Sequence, residues 1–320
     1  MNTSSSILRK YQVQVQHQWD LEADLPWQDG IAAGMDLLPV EEDFGLLKLN
    51  PSQQKCLSLA LGIIAASAIS EHERILCELK DSCWERLVSK KKYPFAMKHL
   101  GEQFFSEEKK HSQAFGKYLS LFASAHNVSL EELKACLPAY DSRFLISLYK
   151  LDARLGGKAL WWTVAATEEE SIELFKLMAN KEASTDPLFY KLNRLHFEEE
   201  VRHSSYAFEM LKSDDKTSWP GRKYQQASFM LAKTLQTIWI FQQLHQFKKI
   251  KNLRQRHPFF EEISQLVEEI ETISSGHKIK ALFTKTSYIS MMLNPQKHKR
   301  IQQEIKRQKA FNLHLSEEVI

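Results

Sequence analysis

Residues 196–203 read HFEEEVRH, and the interpretation of the sequence starts from this stretch. Glu200 precedes His203 by three positions, and His196 precedes Glu200 by four. In a helix these spacings place all three side chains on one face, close enough to share a metal ion. Carboxylate and imidazole groups on an otherwise apolar face need partners, because burying them bare is costly. The stretch therefore indicates a helix that presents metal-binding groups to the protein interior.

A shorter form of the same motif, EEKKH, occurs at residues 107–111. Glu108 and His111 again stand three positions apart, and the rest of their helical face consists of Phe104, Phe105, Phe115 and Leu119. Two Glu-x-x-His helices, each preceded by a helix with an inward Glu, are the arrangement of four-helix di-metal carboxylate proteins. One such motif occurs often by chance, whereas two at related positions indicate a carboxylate-bridged metal pair.

The two preceding helices supply the remaining candidate ligands. In the first, Glu73 continues an apolar face that consists of Ile63, Ala66, Ile69 and Leu76. In the third, residues 168–170 are all Glu, and one of the three must point inward if the motif is real. Glu168 lies better than its neighbours on the face formed by Trp161, Ile172 and Phe175.

Helix lengths support this pairing of acids. Glu73 and Glu108 stand at similar distances from the turn between their helices, and so do Glu169 and Glu200. Because the rise per residue is constant along a helix, each antiparallel hairpin brings its own two acids to the same depth. The two hairpins therefore form an approximate internal duplication.

The sequence predicts an all-α protein. It has only 10 Gly and 9 Pro in 320 residues, and no Asn-Gly or Asp-Gly pair between alternating apolar runs indicates a β-hairpin. We expect a ferritin-like four-helix bundle over residues 51–215 that carries the di-iron core. An irregular leader at residues 1–50 precedes it. Additional C-terminal helices over residues 216–320 follow it, pack on the core and end in a basic tail.

Composition and charge narrow the class of protein. Hydrophobic residues at 43% and charged residues at 26% are typical of a soluble globular protein, and a net charge of +3 gives no reason to expect nucleic acid as a partner. The four cysteines form no CxxC pair, which argues against zinc-ribbon sites. No secretory signal is visible, and the longest apolar stretch, residues 57–69, is too short to span a bilayer. We therefore expect a cytoplasmic protein with no membrane partner.

Together these residues resemble the p-aminobenzoate N-oxygenase family of ferritin-like non-haem di-iron oxygenases. The resemblance rests on Glu73, on Glu169, on the doubled acid that begins the motif of residues 107–111, and on the doubled acid and additional His of residues 196–203. It covers about residues 55–215, roughly half of the chain. These motifs are specific for the metal site and much less so for the substrate.

The resemblance implies two iron ions, and it assigns the same seven residues as metal ligands and as catalytic residues. The set consists of Glu73, Glu108, His111, Glu169, His196, Glu200 and His203. In this assignment Glu108 and Glu200 bridge the two irons. Glu73 and His111 complete one iron.

The second iron takes Glu169, His196 and His203 in the same assignment. Glu169 is preferred because it fits the family spacing, with Glu168 as the alternative. Carboxylate and imidazole ligands without thiolate favour iron, and manganese is the alternative metal.

The resemblance also implies an enzyme, an oxidoreductase with O2 as co-substrate. Its substrate would be a small molecule or a group held on a carrier protein, with N-oxygenation of an arylamine as the leading activity. An external electron donor is needed, because no GxGxxG nucleotide-binding fingerprint is present. The alternative function is a non-catalytic or peroxide-scavenging ferritin-like metal-binding protein. A homodimer is expected on general grounds, since closed dimers are the commonest oligomers.

Three further features carry weaker predictions. Arg202 is expected to pair with an acid such as Glu107 or Glu199 and so to orient the metal ligands. The nine histidines outside the motifs, His72 among them, are predicted to lie on the surface or in loops. Basic residues cluster at residues 248–256 and 297–309, either as a solvated helix face and tail or as a docking site for an acidic partner.

Overall fold

The structure is a computed structural model of the 320-residue chain, and the prediction of an all-α fold is confirmed. It describes residues 18–40, 43–44, 47–90, 93, 95–137, 142–212, 219–247, 265 and 298–307. The α-helices in these residues are α1 Pro51–Leu79, α2 Arg86–Lys90, α3 Phe95–Ala125, α4 Leu130–Cys136, α5 Ser142–Arg154, α6 Ala159–Met178, α7 Pro187–Lys212, α8 Trp219–Phe247 and α9 Lys299–Arg307. A π-helical segment, Lys80–Glu85, connects α1 to α2, and a 3-10 segment, Ala179–Ser184, connects α6 to α7.

The four long helices α1, α3, α6 and α7 form two hairpins. α1 packs along α3 and α6 packs along α7, and the hairpins meet where α3 lies against α7. Capping residues set where two of these helices begin. The Asn50 side chain accepts a hydrogen bond from the Gln53 amide at 2.9 Å, and the Asp186 carboxylate accepts one from the Phe189 amide at 2.7 Å. Both contacts satisfy amides that a helix start leaves unpaired.

The apolar core consists of two separate clusters. One includes residues from the second half of α1 and the first halves of α3 and α6, such as Leu79, Phe104 and Trp161. The other includes residues from the first half of α1 and the second half of α3, such as Ile63 and Phe122. Buried Glu and His side chains lie along the helices between these two groups. The bundle is therefore a four-helix core with a polar layer at mid-height.

A buried polar network fixes the end of α7 against the start of α6. The Lys158 ammonium donates to the carbonyls of Met210 and Leu211 at 3.1 and 2.8 Å, where α7 ends. The Ser228 hydroxyl accepts from the Lys158 amide and donates to Asp152, at 2.7 and 2.8 Å. The buried lysine thus supplies donors to carbonyls that the helix itself cannot pair.

The helices after residue 216 that the structure describes pack on the core. Phe229 and Leu235 of α8 and Ile301 and Ile305 of α9 belong to the same apolar cluster as the bundle helices. The basic residues at 248–256 lie outside the described residues, as does the tail after residue 307. The domain boundaries themselves stay a prediction.

The leader is irregular in its described part, with one local exception to the expected absence of β-structure. Trp27–Asp29 form a short 3-10 turn, and Asp36 forms a parallel bridge with Thr185. A minimal antiparallel ladder pairs β1 (Asp43–Phe44) with β2 (Leu47–Lys48). Strands of two residues are too short to show an alternating pattern, so the sequence carries no signal for this ladder.

The helical run Pro51–Ser89 is long and apolar enough to cross a membrane by length and composition. Most of its apolar window, 61%, is nevertheless buried inside the bundle, and it carries the buried Glu73. These features are typical of a core helix, and no membrane protein is indicated.

Gly101 of α3 provides a test of the packing. A Cβ at Gly101 would collide with the indole ring of Trp84 and the hydroxyl of Tyr206. A Cβ at Gly116 on the same helix would meet only the Ser70 hydroxyl, at 3.6 Å. We expect Gly101→Ala to lower the free energy of unfolding by about 1–3 kcal/mol because the core would be overpacked.

The matched control, Gly116→Ala, is expected to raise the free energy of unfolding by up to about 1 kcal/mol, because Ala is the better helix former. Urea denaturation of both variants measures the difference. Equal stability of the two variants would contradict the close contact of α3 with Trp84 and Tyr206.

Candidate metal centre

The polar layer brings together carboxylates and imidazoles from α1, α3 and α7. Glu73, His111, His196 and Glu200 each offer a ligand atom within 4.8 Å of the other three. The His196 Nε2 atom lies 2.9 Å from an oxygen of Glu73 and 2.9 Å from an oxygen of Glu200. All four side chains are buried. This group has the composition of a metal site.

A second group overlaps the first. Glu108, His111, Glu200 and His203 also offer ligand atoms within 4.8 Å of one another. The His203 Nδ1 atom lies 2.9 Å from Glu108 and 3.4 Å from Glu200, and His111 Nδ1 lies 3.2 Å from Glu200. Because His111 and Glu200 belong to both groups, the arrangement suits two neighbouring ions. We call these six residues, Glu73, Glu108, His111, His196, Glu200 and His203, the ligand cluster.

Each motif orients the histidine of the other. The first Glu of the second motif, Glu199, accepts a hydrogen bond from His111 Nε2 at 2.6 Å. The first Glu of the first motif, Glu107, accepts one from His203 Nε2 at 2.8 Å. A carboxylate can only accept, so each Nε2 carries a proton, and each Nδ1 is the ring atom that faces the cluster and can bind a metal ion once it is deprotonated. This is the tautomer that a metal ligand requires.

Two cations balance these outer carboxylates. The Lys110 ammonium donates to Glu199 at 2.8 Å. The Arg202 guanidinium lies 3.6 Å from Glu107 and 3.4 Å from Glu199. The prediction that Arg202 pairs with one of these acids is confirmed for both. The sequence analysis missed Lys110, although it precedes His111 as Arg202 precedes His203.

Several buried atoms of the ligand cluster have no hydrogen-bond partner. They are Oε2 of Glu73, both carboxylate oxygens of Glu108 and of Glu200, and Nδ1 of His111 and of His203. Acceptor lone pairs that face one another in a buried site repel, and water is not there to solvate them. Cations placed among them would satisfy all of these atoms. The residues present therefore fit a pair of metal ions.

Comparison with known proteins agrees with this geometry. The family model described as p-aminobenzoate N-oxygenase AurF matches residues 48–287. The chain belongs to this family. No curated protein and no solved structure gives a significant match. The match begins just before α1 and extends past α8. It is therefore longer than residues 55–215, the range over which the sequence analysis found the resemblance to the p-aminobenzoate N-oxygenase family.

The pKa values of the cluster reflect charge packed in an apolar bundle. Burial raises the pKa of Glu73 well above its usual range, and the neighbouring Glu108 and Glu200 raise it further. Burial alone would also raise the pKa of Glu200, but attraction by the nearby imidazoles of His203 and His111 lowers it to about 2. Burial opposes charge on His111, yet its hydrogen bond to Glu199 and the nearby carboxylate of Glu200 raise its pKa to about 9. In the protein without metal, His111 is therefore a cation at neutral pH, with a proton on each ring nitrogen.

The third helix places its acids differently from the preferred assignment. The Glu169 carboxylate accepts hydrogen bonds from Arg300 of α9 at 2.6 Å and from Ser204 at 2.5 Å, and it belongs to neither metal-ligand group. Glu168 is buried and lies seven positions from both Trp161 and Phe175 on the inward face of α6, but it too belongs to neither metal-ligand group. The structure thus does not bring Glu169 to the cluster. Adjacent positions of a helix point about 100° apart. Counting residues from the family spacing, which is uncertain by one position, therefore could not decide between Glu168 and Glu169.

A residue of the leader covers the cluster. The Trp19 ring stacks over His111, with centroids 6.0 Å apart and planes inclined by 11°. The Lys110 ammonium lies 4.1 Å from the centre of the Trp19 ring and donates to the Trp19 carbonyl at 3.0 Å. Phe104 and Phe115 pack edge-on against His203 and His196. No motif marked Trp19 in the sequence, because its role depends on a contact between distant segments.

Removing the charge of Glu199 should weaken metal binding. In Glu199→Gln the amide no longer raises the basicity of His111, so we expect metal affinity to fall about 10–100-fold. Ferrous ion titration under argon with a competing chelator measures the change. Glu198→Gln is the matched control, since the Glu198 side chain is adjacent but exposed and pairs with Arg194 on the surface of α7. Equal affinities in the two variants would contradict the orienting role.

Metal uptake should release protons. Because the pKa of His111 is raised to about 9 without metal, a ligand nitrogen must lose its proton before it can bind an ion. The apparent affinity is therefore expected to rise between pH 6 and pH 9, by about ten-fold per pH unit for each proton released. Calorimetry in two buffers of different ionisation enthalpy counts the protons. An affinity that stays constant over this range would rule out the protonated site.

Proposed function

We propose that the chain is a non-haem di-iron oxygenase that uses O2 to oxidise the nitrogen of an amine substrate. The single observation that supports this most is the overlap of two buried metal-ligand groups whose facing lone pairs have no partner. Membership of the p-aminobenzoate N-oxygenase family supports the reaction type. Iron is proposed over manganese on family grounds, since both ions accept this ligand set.

The ligand cluster supplies the proposed iron ligands, and Glu168 replaces Glu169 as the candidate from α6. Glu200 belongs to both groups, which suits a bridging carboxylate. Glu108 belongs to the second group only, and its proposed bridging role rests on the resemblance. Arg300 and Ser204 already occupy the carboxylate of Glu169.

The proposed reaction has a simple balance. When bound, the two irons supply the redox chemistry that O2 needs, which protein side chains lack. One oxygen atom enters the N–H bond of the amine to give a hydroxylamine, and the other leaves as water. Two electrons and two protons complete the balance. We propose an external electron donor for them, because the sequence has no nucleotide-binding fingerprint.

The residues around the cluster have three proposed tasks. Glu107 and Glu199 hold His203 and His111 in the tautomer that turns Nδ1 inward. Trp19 and the aromatic rings of α3 keep water from the cluster, which strengthens every charge interaction inside it. Lys110 offsets the negative charge of Glu199. These residues organise the site before any substrate arrives.

Several proposals about partners and location are independent of the ligand cluster. The substrate is a small molecule or is held on a carrier protein, and the protein works in the cytoplasm. A homodimer and the docking of an acidic partner on the basic residues at 248–256 also stay predictions. Those basic residues lie outside the part of the chain that the structure describes.

His196 offers the sharpest test of the oxygenase. It contacts Glu73 and Glu200, so His196→Ala should lower single-turnover oxygenation of an amine by about a hundred-fold or more, as expected when an open metal site loses a ligand. Product is measured as ¹⁸O incorporation from labelled O2. Ile172→Val, a buried change that removes one methyl group and no candidate ligand, should retain activity.

Metal content separates the proposed function from its alternatives. Fewer than about one metal ion per chain after loading under argon would contradict a dinuclear site. Peroxide consumption without transfer of labelled oxygen to any amine would instead favour the peroxide-scavenging protein. Equal activity of His196→Ala and wild type would remove the ligand assignment.

A further inference from the structure

Trp19 contacts the ligand cluster from outside the four long helices. Its side chain is 6% exposed and stacks over the ring of His111, which is completely buried. Around the cluster the long helices pack directly on one another. His72 of α1, predicted to lie on the surface or in a loop, is instead partly buried, and its Nε2 lies 3.2 Å from the Thr167 hydroxyl of α6. Displacing Trp19 would uncover His111 without separating two helices.

Trp19 belongs to a compact turn of the leader, residues 18–24, which we call the lid. The Asp20 carboxylate accepts hydrogen bonds from the amides of Glu22 and Ala23 at 2.9 and 2.8 Å. The Asp24 amide donates to the Asp20 carbonyl at 3.1 Å. Among the described residues, no hydrogen bond between backbone groups joins the lid to the rest of the chain. The lid therefore satisfies polar groups within itself and can move as one unit.

Side chains hold the lid in place. Lys110 of α3 donates to the Trp19 carbonyl and lies over the Trp19 ring. Lys117, about two turns further along the same helix, pairs with the Glu22 carboxylate at 2.6 Å. The Trp27 indole donates to a carbonyl of the lid at 2.6 Å. The pair of Lys117 and Glu22 is exposed to solvent, and such pairs contribute little to stability. These contacts can break while every helix stays intact.

The chain directly after the lid is attached more firmly. Leu25 and Trp27 are buried in the apolar core. Further on, the Asp36 amide donates to the Ser184 carbonyl at 2.9 Å, and the Asp36 carbonyl accepts from the Asp186 amide at 2.7 Å. The leader thus consists of a loosely held turn over the cluster and a fixed segment behind it. Segments with few backbone hydrogen bonds to their surroundings open most readily.

We propose that the lid is the gate through which metal ions enter and leave the ligand cluster. When the turn swings away, Trp19 uncovers His111, and when the turn returns, Trp19 closes the site again. The proposal goes beyond the oxygenase function, because it concerns the exchange of the ion and applies to any metal that the cluster takes. The lid precedes residues 48–287, so membership of the family carries no expectation about it.

A gate and a structural support differ in their kinetics. An ion that passes only while the lid is open enters and leaves at rates that both depend on how often the lid opens. A change that loosens the lid therefore raises both rates by the same factor and leaves the dissociation constant unchanged. A residue that only supports His111 would affect the rate of exit and weaken binding, with no faster entry.

Cobalt(II) is the probe for both rates, because its visible absorption changes when imidazole and carboxylate ligands bind it. Stopped-flow mixing of the metal-free protein with cobalt gives the rate of entry. Mixing of the loaded protein with excess EDTA gives the rate of exit, which should not depend on the EDTA concentration. Lys117→Met removes the contact with Glu22 and is expected to raise both rates about three-fold. Its dissociation constant should stay within about two-fold of wild type.

Two further variants complete the experiment. Trp19→Ala removes the cover itself and should raise both rates about ten-fold or more. Lys98→Met is the matched control for Lys117→Met, since Lys98 is exposed near the start of α3, well before Lys110. It should change neither rate. Circular dichroism verifies that each variant is folded.

Two results would overturn the proposal. One is a folded Trp19→Ala variant whose rates of entry and exit both stay within about two-fold of wild type. The other is a Lys117→Met variant with faster exit and unchanged entry, which would make the lid a support for His111. The proposed function fails separately. Lid-dependent cobalt exchange in a chain whose iron-loaded form transfers no oxygen to any amine would support the gate and remove the oxygenase. A chain that binds neither cobalt nor iron would overturn both.

Discussion

The structure depends on burying several carboxylates and imidazoles at one level of an apolar bundle. Charges in such a place lose their hydration, and like charges repel more strongly than in water. Glu73 and Glu200 show the two responses, since the pKa of Glu73 is raised well above its usual range and that of Glu200 is lowered to about 2. An apolar cluster lies on each side of this layer. Burying these groups lowers the stability of the metal-free protein, because the site is complete only with cations. Such a loss of stability is common at functional sites.

Each of the two Glu-Glu-x-x-His motifs supplies candidate ligands and also orients the histidine of the other motif. The second Glu and the His of each motif face the cluster, and the first Glu supports the histidine of the opposite motif. Glu199 on α7 orients His111 on α3, and Glu107 on α3 orients His203 on α7. Each hairpin therefore needs the other for correct ligand geometry. The contact between α3 and α7 serves both the fold and the site.

Much of this could be predicted from the sequence, because helical spacing is regular over long segments. The apolar faces of α1, α3 and α7 predicted that Glu73, Glu108 and Glu200 point inward. The structure brings these three side chains together with the histidines of the two motifs. The third helix shows the limit, since Glu168 and Glu169 differ by one position, and only the packing of α6 separates them. Trp19 was missed for another reason: a contact between distant segments leaves no periodic signal in either.

Two segments far apart in sequence contact the helices that carry the site. Trp19 covers His111, and Arg300 binds Glu169 beside Ser204 on the neighbouring helix pair. During synthesis on the ribosome, Trp19 emerges early, whereas Arg300 emerges only after all the ligand helices. The contacts that join α9 to α6 and α7 can therefore form only after nearly three hundred residues have been translated, when every helix with a candidate ligand has already emerged.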